Sequence, residues 1–401
     1  MRKGWHEARF TDLVSVTKGR KPRSTRGDSA PNAYEYLTAT RLRSGQASEW
    51  VEDSTAVVTA TEDDTLIIWD GAGVGDVFRG AGGVVASTMA RLRPSVKSVS
   101  SEYLQLLAQE ISPILKASPR GSTVPHVDPN ILARIVVSIP PYSEQNRIVD
   151  LMGALDATIT TTDESLRSLR SAQRAFSAGL HSRANLEDWE ESNLADVLGG
   201  PGAIRTGPFG SQLHQSDYVD DGPVAVVMPA NMRSHRVDLA GIARISERDG
   251  DRLNRHRTQE GDILWSRRGD VARFAVIDNE STESLCGTGC FLLRPHDAST
   301  TQWLEPWLAS PQVGWWLEEN AVGATMKNLN RTILSGVPVR VPPVEVRAHT
   351  ARAWVSLVAS SAAVERTRER LTDLRSNLLA ALLSGEHAIP ESYDELLEVT
   401  A

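Results

Sequence analysis

The sequence has little cysteine and no long apolar run, and each absence excludes a class of protein. Only two of the 401 residues are cysteine, Cys286 and Cys290, so no disulfide framework holds the fold together. Two thiols without further Cys or His partners make a weak metal site, and we expect reduced, partly buried thiols and no bound metal. No stretch of 18 apolar residues occurs, and the basic N-terminus lacks the apolar core of a secretory signal. We therefore expect a cytoplasmic protein without a membrane segment.

The chain also lacks the net positive charge that is usual for nucleic-acid-binding proteins, because its formal charge is −8. The charge is unevenly distributed, however. Residues 1–43 contain ten Lys and Arg against four acids, whereas residues 385–401 contain five acids and no Lys or Arg. Local potential attracts a polyanion more than total charge does, so the basic first segment keeps DNA binding open.

Motifs for several kinds of catalysis are missing. The sequence has no Gly-x4-Gly-Lys-Ser/Thr motif for nucleotide phosphates. Its nine histidines show no His-Glu-x-x-His spacing for zinc. The scattered carboxylates offer no convincing pair of nuclease ligands. We predict no catalytic residue in this chain.

What the chain does contain is an internal repeat. Shifting the sequence against itself by about 200 residues brings a collinear series of residues into register. The pairs are Trp5 with Trp189, Asp12 with Asp196, Asp64 with Asp262, Leu66 with Leu264, Gly71 with Gly269, Leu92-Arg93-Pro94 with Leu293-Arg294-Pro295, Tyr103-Leu104 with Trp303-Leu304, Gly121 with Gly323, Thr123 with Thr325, Ile131-Leu132 with Ile333-Leu334, Pro140-Pro141 with Pro342-Pro343, and Leu180 with Leu382. Chance could supply one pair but not the series, which indicates a tandem duplication.

Each copy has a mixed part followed by a helical part. Short apolar runs between Gly-rich turns predict strands at 64–69, 135–139, 225–228, 261–265 and 337–341. After each Pro-Pro pair, Gly and Pro become rare and the pattern turns helical, at 143–183 and 345–384. The predicted fold class is α+β, with two tandem, pseudo-twofold-related α/β domains separated by two long antiparallel coiled-coil-like helices. The predicted bounds are 1–140 and 186–340 for the domains, 141–185 and 341–387 for the helices, and 388–401 for an acidic tail.

Both helices carry a heptad stripe suited to one partner helix. Its apolar members are Ile148, Met152, Leu155, Ile159, Leu166, Leu169, Phe176 and Leu180 in the first helix, and Trp354, Leu357, Val364, Leu371, Leu378 and Leu382 in the second. Neither helix can hide its stripe alone, so we expect the two to pack together. An ordinary core helix is the alternative. Two equivalent domains held apart by such helices suit duplex DNA. Because the copies have diverged, they would recognise two different short base sequences, here called words, separated by bases that neither domain recognises.

Five polar or basic segments are candidates for DNA contact. A basic loop offers Lys18, Arg20, Lys21, Arg23 and Arg26; the corresponding place in the second copy offers Arg205, Ser211 and Gln212; Arg267 and Arg268 follow a strand; and a polar loop before each Pro-Pro pair offers Arg120 and His126, or Lys327, Asn328, Asn330 and Arg331. Such side chains bind phosphates or base edges. Solvated turns and surface pairs are the alternative reading.

Several motifs resemble those of the specificity (S) subunits of type I restriction–modification systems, and the resemblance covers nearly the whole chain. They are IPPYSEQNRI at 139–148, LLAALLSG at 378–385, TGPFGSQL at 206–213, GDIL at 261–264 and its counterpart DTLIIWDG at 64–71. Together with the duplication they form a specific signature.

The resemblance implies a target-recognition domain for each half of a bipartite site in double-stranded DNA. It also implies that the two helices, with Glu144, Gln145 and the stripe residues, dock two methyltransferase (modification) subunits. Those subunits bind S-adenosylmethionine and methylate adenine N6, so this chain needs no cofactor; restriction (translocase–nuclease) subunits would cleave unmodified DNA. The second copy reads Pro-Pro-Val-Glu-Val-Arg at 342–347 and lacks the Glu-Gln pair, which questions whether both helices dock partners identically.

Two other functions have to be weighed. The run LIIWDGAGVG at 66–75 and SIPPY at 138–142 mimic the cofactor loop and target-base motif of an S-adenosylmethionine-dependent adenine methyltransferase. Against this, the second copy keeps one glycine at 265–270 and has Val344 in place of the aromatic ring, and both Pro-Pro pairs stand where helices begin. A coiled-coil scaffold without a DNA role would leave the basic loops without a function.

Overall fold

A computed structural model describes residues 4–52, 57–121, 123–297, 299–323 and 326–395. The chain divides into two compact units. Unit 1 comprises Met1–Thr162 and Thr367–Ala401, and unit 2 comprises Asp163–Arg366. The domain bounds inferred from the sequence stay a prediction, and the end of the acidic tail, residues 396–401, lies outside the described residues.

Unit 1 alternates short strands with helices. Its elements are β1 (His6–Arg9), α1 (Phe10–Leu13), β2 (Val14–Lys18), β3 (Tyr34–Leu37), α2 (Ala39–Ser44), β4 (Trp50–Val51), β5 (Thr59–Ala60), β6 (Thr65–Ile68), β7 (Val77–Arg79), β8 (Gly83–Val85), β9 (Met89–Pro94), α3 (Ser101–Ala117), α4 (Pro129–Leu132), β10 (Val136–Ile139) and the first part of α5 (Tyr142–Gly179).

Unit 2 has a similar succession. It contains α6 (Arg183–Asp188), β11 (Glu190–Asn193), α7 (Leu194–Val197), β12 (Ile204–Thr206), β13 (Tyr218–Val219), β14 (Val224–Val227), β15 (Met232–Arg233), β16 (Arg236–Val237), β17 (Arg244–Ile245), α8 (Glu247–Arg252), β18 (Ile263–Ser266), β19 (Phe274–Val276), β20 (Leu285–Cys286), β21 (Cys290–Leu293), α9 (Ser299–Leu308), α10 (Pro311–Asn320), α11 (Arg331–Ser335), β22 (Pro338–Val341) and the first part of α12 (Val344–Leu383). Short 3₁₀ helices cover Pro201–Ala203, Gln215–Asp217, Pro229–Asn231 and Asn254–His256.

The two units repeat the same main sheet. In unit 1 the strand order is β2-β9-β6-β7, and in unit 2 it is β12-β21-β18-β19, antiparallel throughout. Each unit also has a second four-stranded sheet, β4-β3-β8-β5 or β13-β17-β14-β20, and a two-stranded pair, β1-β10 or β11-β22. Unit 2 adds the ribbon β15-β16. The shared strand order supports the duplication inferred from the sequence.

One inner strand of each main sheet, β6 or β18, is buried on both faces. In β6, Ile67 packs into the core that contains α3, while Leu66 and Ile68 pack into a second cluster with the neighbouring sheet. Alternate residues of a strand point to opposite faces, so a continuous apolar run is what a doubly covered strand needs. The equivalent β18 divides in the same way, with Ile263 and Leu264 in different clusters. Burying each such side chain contributes about 2 kcal/mol.

The stripe of the two long helices is covered, as the sequence predicts. Every apolar stripe residue is buried or half-buried. Within unit 2 the contacts run antiparallel, because Arg170 binds Glu365 and Gln173 binds the carbonyl of Leu357. Within unit 1, Arg375 binds Asp156, and the last turns of α12 join the core beside the first turns of α5. The predicted fold class, mixed helix and sheet with two long helices, is confirmed.

Helix α5 ends earlier than the sequence pattern suggests. The pattern predicts helix to residue 183, but α5 stops at Gly179. Glycine is a weak helix former, and Ser182 accepts a hydrogen bond from the amide of Asn185 and begins the separate helix α6. The apolar spacing continues through Leu180, so the sequence pattern alone does not indicate that the helix ends at Gly179.

The two cysteines are free and buried, as expected. Burial raises the pKa of Cys290 to about 12. Over the described ranges, no helix combines the length and the apolar character that crossing a bilayer requires.

Candidate nucleic-acid interface

The two candidate segments of unit 1 and the turn after β6 meet at one end of the main sheet. Strands β2 and β6 both pair antiparallel with β9, so their C-terminal ends lie at the same edge. There the amide of Gly19 binds the carbonyl of Met89, and the amide of Val127 binds the carbonyl of Trp69, both at 2.9 Å. The basic loop, the turn after β6 and the polar loop before β10 therefore converge.

Unit 2 builds the same edge from the same backbone contacts. The amide of Gly207 binds the carbonyl of Cys290 at 2.9 Å, as Gly19 binds Met89 in unit 1. The amide of Leu329 binds the carbonyl of Arg267 at 2.9 Å, in the place of the contact between Val127 and Trp69. The segments that the sequence separates by tens of residues are thus brought together twice.

A small hairpin forms the outer part of each edge. In unit 1, Arg120 and His126 exchange two backbone hydrogen bonds of 2.9 and 2.8 Å. In unit 2, Val322 and Asn328 exchange bonds of 3.0 and 2.9 Å. The glycine after the first residue, Gly121 or Gly323, has a positive φ in both hairpins, a conformation that favours glycine.

Gly19 and Gly207 fix the loops against the sheet. A Cβ at Gly19 would lie 2.1 Å from the carbonyl oxygen of Ala86, and a Cβ at Gly207 would lie 2.0 Å from that of Gly287. Glycines in such a loop can also permit close approach of the backbone to a ligand. For Gly207 the close neighbour is the protein's own backbone, whereas Gly210 has open space around it.

Asp70 organises the charges of the unit 1 edge. Its carboxylate accepts from Lys18 Nζ at 2.5 Å and contacts His126 Nδ1 at 2.6 Å. Burial raises the pKa of Asp70, but the hydrogen bonds from Lys18 and His126 outweigh it and leave that pKa below its usual value. The side chain is 15% exposed, whereas those of Lys18 and His126 are about half exposed, at 49% and 46%. The sequence did not single out Asp70 as a binding residue.

The remaining cations of the basic loop divide into two groups. Arg20, Lys21 and Arg23 are exposed and make no ion pair within the described ranges. Arg26 instead binds Asp28 and Glu52 and pairs through its backbone with Trp50 beside the second sheet. The structure therefore separates Arg26 from the other basic-loop residues.

The unit 2 edge is built around arginine and amide groups. Arg268 is exposed and pairs through its backbone with Asn328, in the place of the bridge between Asp70 and His126. The guanidinium of Arg267 lies 5.9 Å from the ring centre of Phe291. Arg267 Nε and Asn328 Oδ1 are buried and have no hydrogen-bond partner among the described residues. Lys327 Nζ donates to the carbonyl of Glu318 at 2.9 Å.

The other predicted contacts of unit 2 lie in different surroundings. Arg205 lines a separate cavity of about 500 Å³ near Asp262 and Arg294. Gln212 Oε1 accepts from the amide of Phe209 at 3.1 Å, and Ser211 beside it is exposed. Two further predicted residues stand at the start of α11. Asn330 caps that helix by accepting from the amide of Ile333 at 2.8 Å, and Arg331 is the first, exposed residue of the helix.

The residues at the start of α5 serve the protein's own fold. Gln145 is fully buried, and its amide binds the backbone of Ser98, Ser100 and Pro140. Glu144 accepts from the indole of Trp5 at 2.9 Å. Docking of a partner through either residue stays a prediction. The Pro-Pro pairs do begin helices, since α5 starts at Tyr142 and α12 at Val344.

The glycine-rich run after β6 lacks the surroundings of a cofactor loop. Such a loop leads from a parallel strand into a helix. Here β6 pairs antiparallel with both neighbours, and the loop returns through a bond from the amide of Gly75 to the carbonyl of Ile68 into strand β7. Within the described part of the chain, no cluster of three or more His, Cys, Asp or Glu side chains could hold a metal ion.

Comparison with known proteins finds a family model that the first part of the chain resembles. Residues 2–170 match the family model described as "Type I restriction modification DNA specificity domain". The specificity subunit of the type I restriction enzyme MjaVIII from Methanocaldococcus jannaschii is 28% identical over 232 residues. That alignment covers 54% of this chain and 53% of the relative, so the chain spans about half the length of the curated relative it matches.

Two solved structures share the fold over nearly the whole chain. The S subunit of a type I restriction–modification system from M. genitalium has a TM-score of 0.60 at 12% identity and covers 94% of this chain and 96% of its own. A chain from a study of complex assembly and conformational transition of the type I R-M system has a TM-score of 0.53 at 17% identity, covering 95% and 98%. At these identities the likeness shows the fold.

Proposed function

We propose that the chain is the non-catalytic subunit that directs a type I enzyme to its DNA sequence, because residues 2–170 match the model of the type I restriction–modification DNA specificity domain. Each unit contributes one recognition edge, and each edge binds one half of a bipartite site in double-stranded DNA. The proposal extends the assignment from the matched residues to unit 2, whose main sheet has the same strand order.

The observation that carries the proposal is that the two edges share the same backbone contacts but differ in their side chains. The hydrogen bonds of Gly19 and Val127 recur at Gly207 and Leu329, while Asp70 and its partners give way to arginine and amide groups. A protein that recognises a DNA sequence needs this combination. A fixed backbone sets the position of the edge on the duplex, and the side chains select the base. Two diverged edges would select two different words.

We further propose that the partners are two methyltransferase subunits, which dock on the long helices and bind S-adenosylmethionine themselves. Apolar side chains exposed on those helices support this, among them Val344 (70% exposed), Tyr142 (54%) and Leu374 (52%). A partner that covered these side chains would remove their apolar surface from water. Translocase–nuclease subunits would join the same assembly to cut unmodified DNA.

Mapping of N6-methyladenine in cells with and without the gene tests this function. We expect one two-part word to lose methylation in the deletion strain and to regain it when the intact gene is returned. If no methylated word depends on the gene, the proposal is wrong. Methyl transfer by the purified chain alone would instead make it the catalyst, and a chain that binds no DNA in any assembly would leave only a scaffold.

A further inference from the structure

We propose that positions 70 and 268 determine base choice and do so with opposite hydrogen-bond polarity. Asp70 in unit 1 would select a base that offers an amino group in the major groove, which is cytosine or adenine. Arg268 in unit 2 would select a base that offers acceptors, which is guanine. This inference rests on the proposed function, since it names the chemistry by which each edge would select DNA.

The two positions are equivalent in the backbone. The backbones of Asp70 and His126 form an isolated antiparallel β-bridge between the turn and the hairpin. The backbones of Arg268 and Asn328 form the equivalent bridge in unit 2. The residue after each hairpin partner, Val127 or Leu329, is 1% exposed and anchors the hairpin in the core. Because the frame is fixed by burial and backbone bonds, a difference between the edges has to come from the side chains.

Unit 2 presents donors at this position. The exposed guanidinium of Arg268 makes no ion pair within the described ranges, so its donors are available to a ligand. Arginine donates to guanine O6 and N7 in a bidentate contact that no other base offers in the major groove. The unpaired Arg267 Nε and Asn328 Oδ1 lie in the same two segments.

Unit 1 presents an acceptor in the same place. A carboxylate near DNA would ordinarily be repelled by the phosphates. Here the ammonium group of Lys18 offsets the charge of Asp70, and the ring of His126 contacts the other carboxylate oxygen. Each oxygen keeps a lone pair, because a carboxylate has about four acceptor sites. A carboxylate accepts from the amino group of cytosine or adenine. The more exposed Lys18 then remains available to a phosphate.

Selection from a random duplex library by the full-length chain in its assembled complex tests the inference. The variants are Arg268→Ala and Asp70→Asn, with Arg183→Ala and Asp63→Asn as matched controls at exposed positions outside the edges. We expect Arg268→Ala to reduce the preference for guanine at one position of one word by about tenfold, with the other word unchanged. Asp70→Asn should relax one position of the other word, and the controls should select as the wild type does.

The outcomes separate the inference from the function. If the wild type enriches two words and Arg268→Ala enriches the same words with the same base frequencies, position 268 does not select bases and the inference fails. A uniform loss of affinity for all sequences would make Arg268 a phosphate contact and would also overturn it. If the wild type enriches no word, the proposed function itself fails. Thermal unfolding of each variant checks the fold, and Arg268→Ala removes only an exposed side chain.

Discussion

Gln145 and Arg347 make equivalent hydrogen bonds at the start of the long helix in each unit. Gln145 Nε2 donates to the carbonyl of Pro140 at 3.1 Å, and Arg347 Nε donates to the carbonyl of Pro342 at 2.7 Å. Each therefore ties its long helix to the first proline of the preceding pair. The missing Glu-Gln pair in the second copy does not change the start of the helix, because arginine supplies the donor and also lies over the ring of Trp303.

Replacing Gln145 with alanine should destabilise unit 1. The substitution leaves the buried backbone groups of Ser98, Ser100 and Pro140 without their partner. We expect the free energy of unfolding in urea to fall by about 2–4 kcal/mol. Asn146→Ala, at the exposed neighbour, is the control and should change it by less than about 0.5 kcal/mol. Equal stability of Gln145→Ala and the wild type would contradict the structural role given to Gln145.

Alanine at Gly19 or Gly207 should destabilise the protein, while alanine at Gly153 should not. At the first two positions the new Cβ would overlap a backbone carbonyl, whereas Gly153 lies within α5 and has no atom within 4 Å of that position. Alanine is the better helix former by about 1 kcal/mol, so Gly153→Ala should raise the melting temperature. Melting curves of the three variants check this, and a stable Gly207→Ala would show that the loop need not lie against the sheet.

The stability of unit 2 should fall in acid because His181 is buried. Its ring stacks on Trp307 at 3.7 Å between ring centres, and Nε2 contacts Ser310 Oγ at 2.8 Å. Burial lowers the pKa of His181 from 6.5 to about 4. Since the unfolded chain binds the proton more readily, the stabilising contribution is complete above pH 6.5 and is lost as the pH falls from 6.5 toward 4.

The variant His181→Gln isolates that contribution. Its free energy of unfolding should depend less on pH between 6.5 and 4 than that of the wild type, while His349→Gln, at an exposed position, should keep the wild-type dependence. Identical pH profiles for His181→Gln and the wild type would show that His181 is not held neutral by burial.

Removing Arg20, Lys21 and Arg23 together should weaken DNA binding. These exposed cations lie in the loop that Gly19 holds against the sheet, and they suit binding to phosphates. We expect lower affinity at every ionic strength and a shallower dependence of affinity on salt, by about 0.9 in log–log slope for each phosphate that the variant no longer neutralises. Titrations of duplex DNA with the assembled complex at several salt concentrations measure both. An unchanged slope would place the loop away from the phosphates.

The duplication and the long helices could be predicted from the sequence because they depend on local patterns. Pairs such as Leu92 and Leu293 keep their identity since both fill the same place in a core. The bounds of all five predicted strands agree with those of β6, β10, β14, β18 and β22 within two residues.

The organisation of the two edges could not be predicted. The contact between Lys18 and Asp70 arises only because β2 and β6 both pair with β9, one on each side of it, and no local pattern indicates that pairing. The equivalence of Gln145 and Arg347 was hidden for a similar reason, since the two side chains share a hydrogen-bond acceptor but not a residue type. Which of the candidate residues contact DNA stays a prediction.

Exchange of residues 186–340 for the corresponding domain of a relative tests the central claim most directly. The methylated word of the hybrid is then compared with that of the wild type in the same cells. The account predicts that one half of the word changes and that the other half stays as it was. Changes in both halves, or in neither, would contradict the assignment of one recognition edge to each half-site.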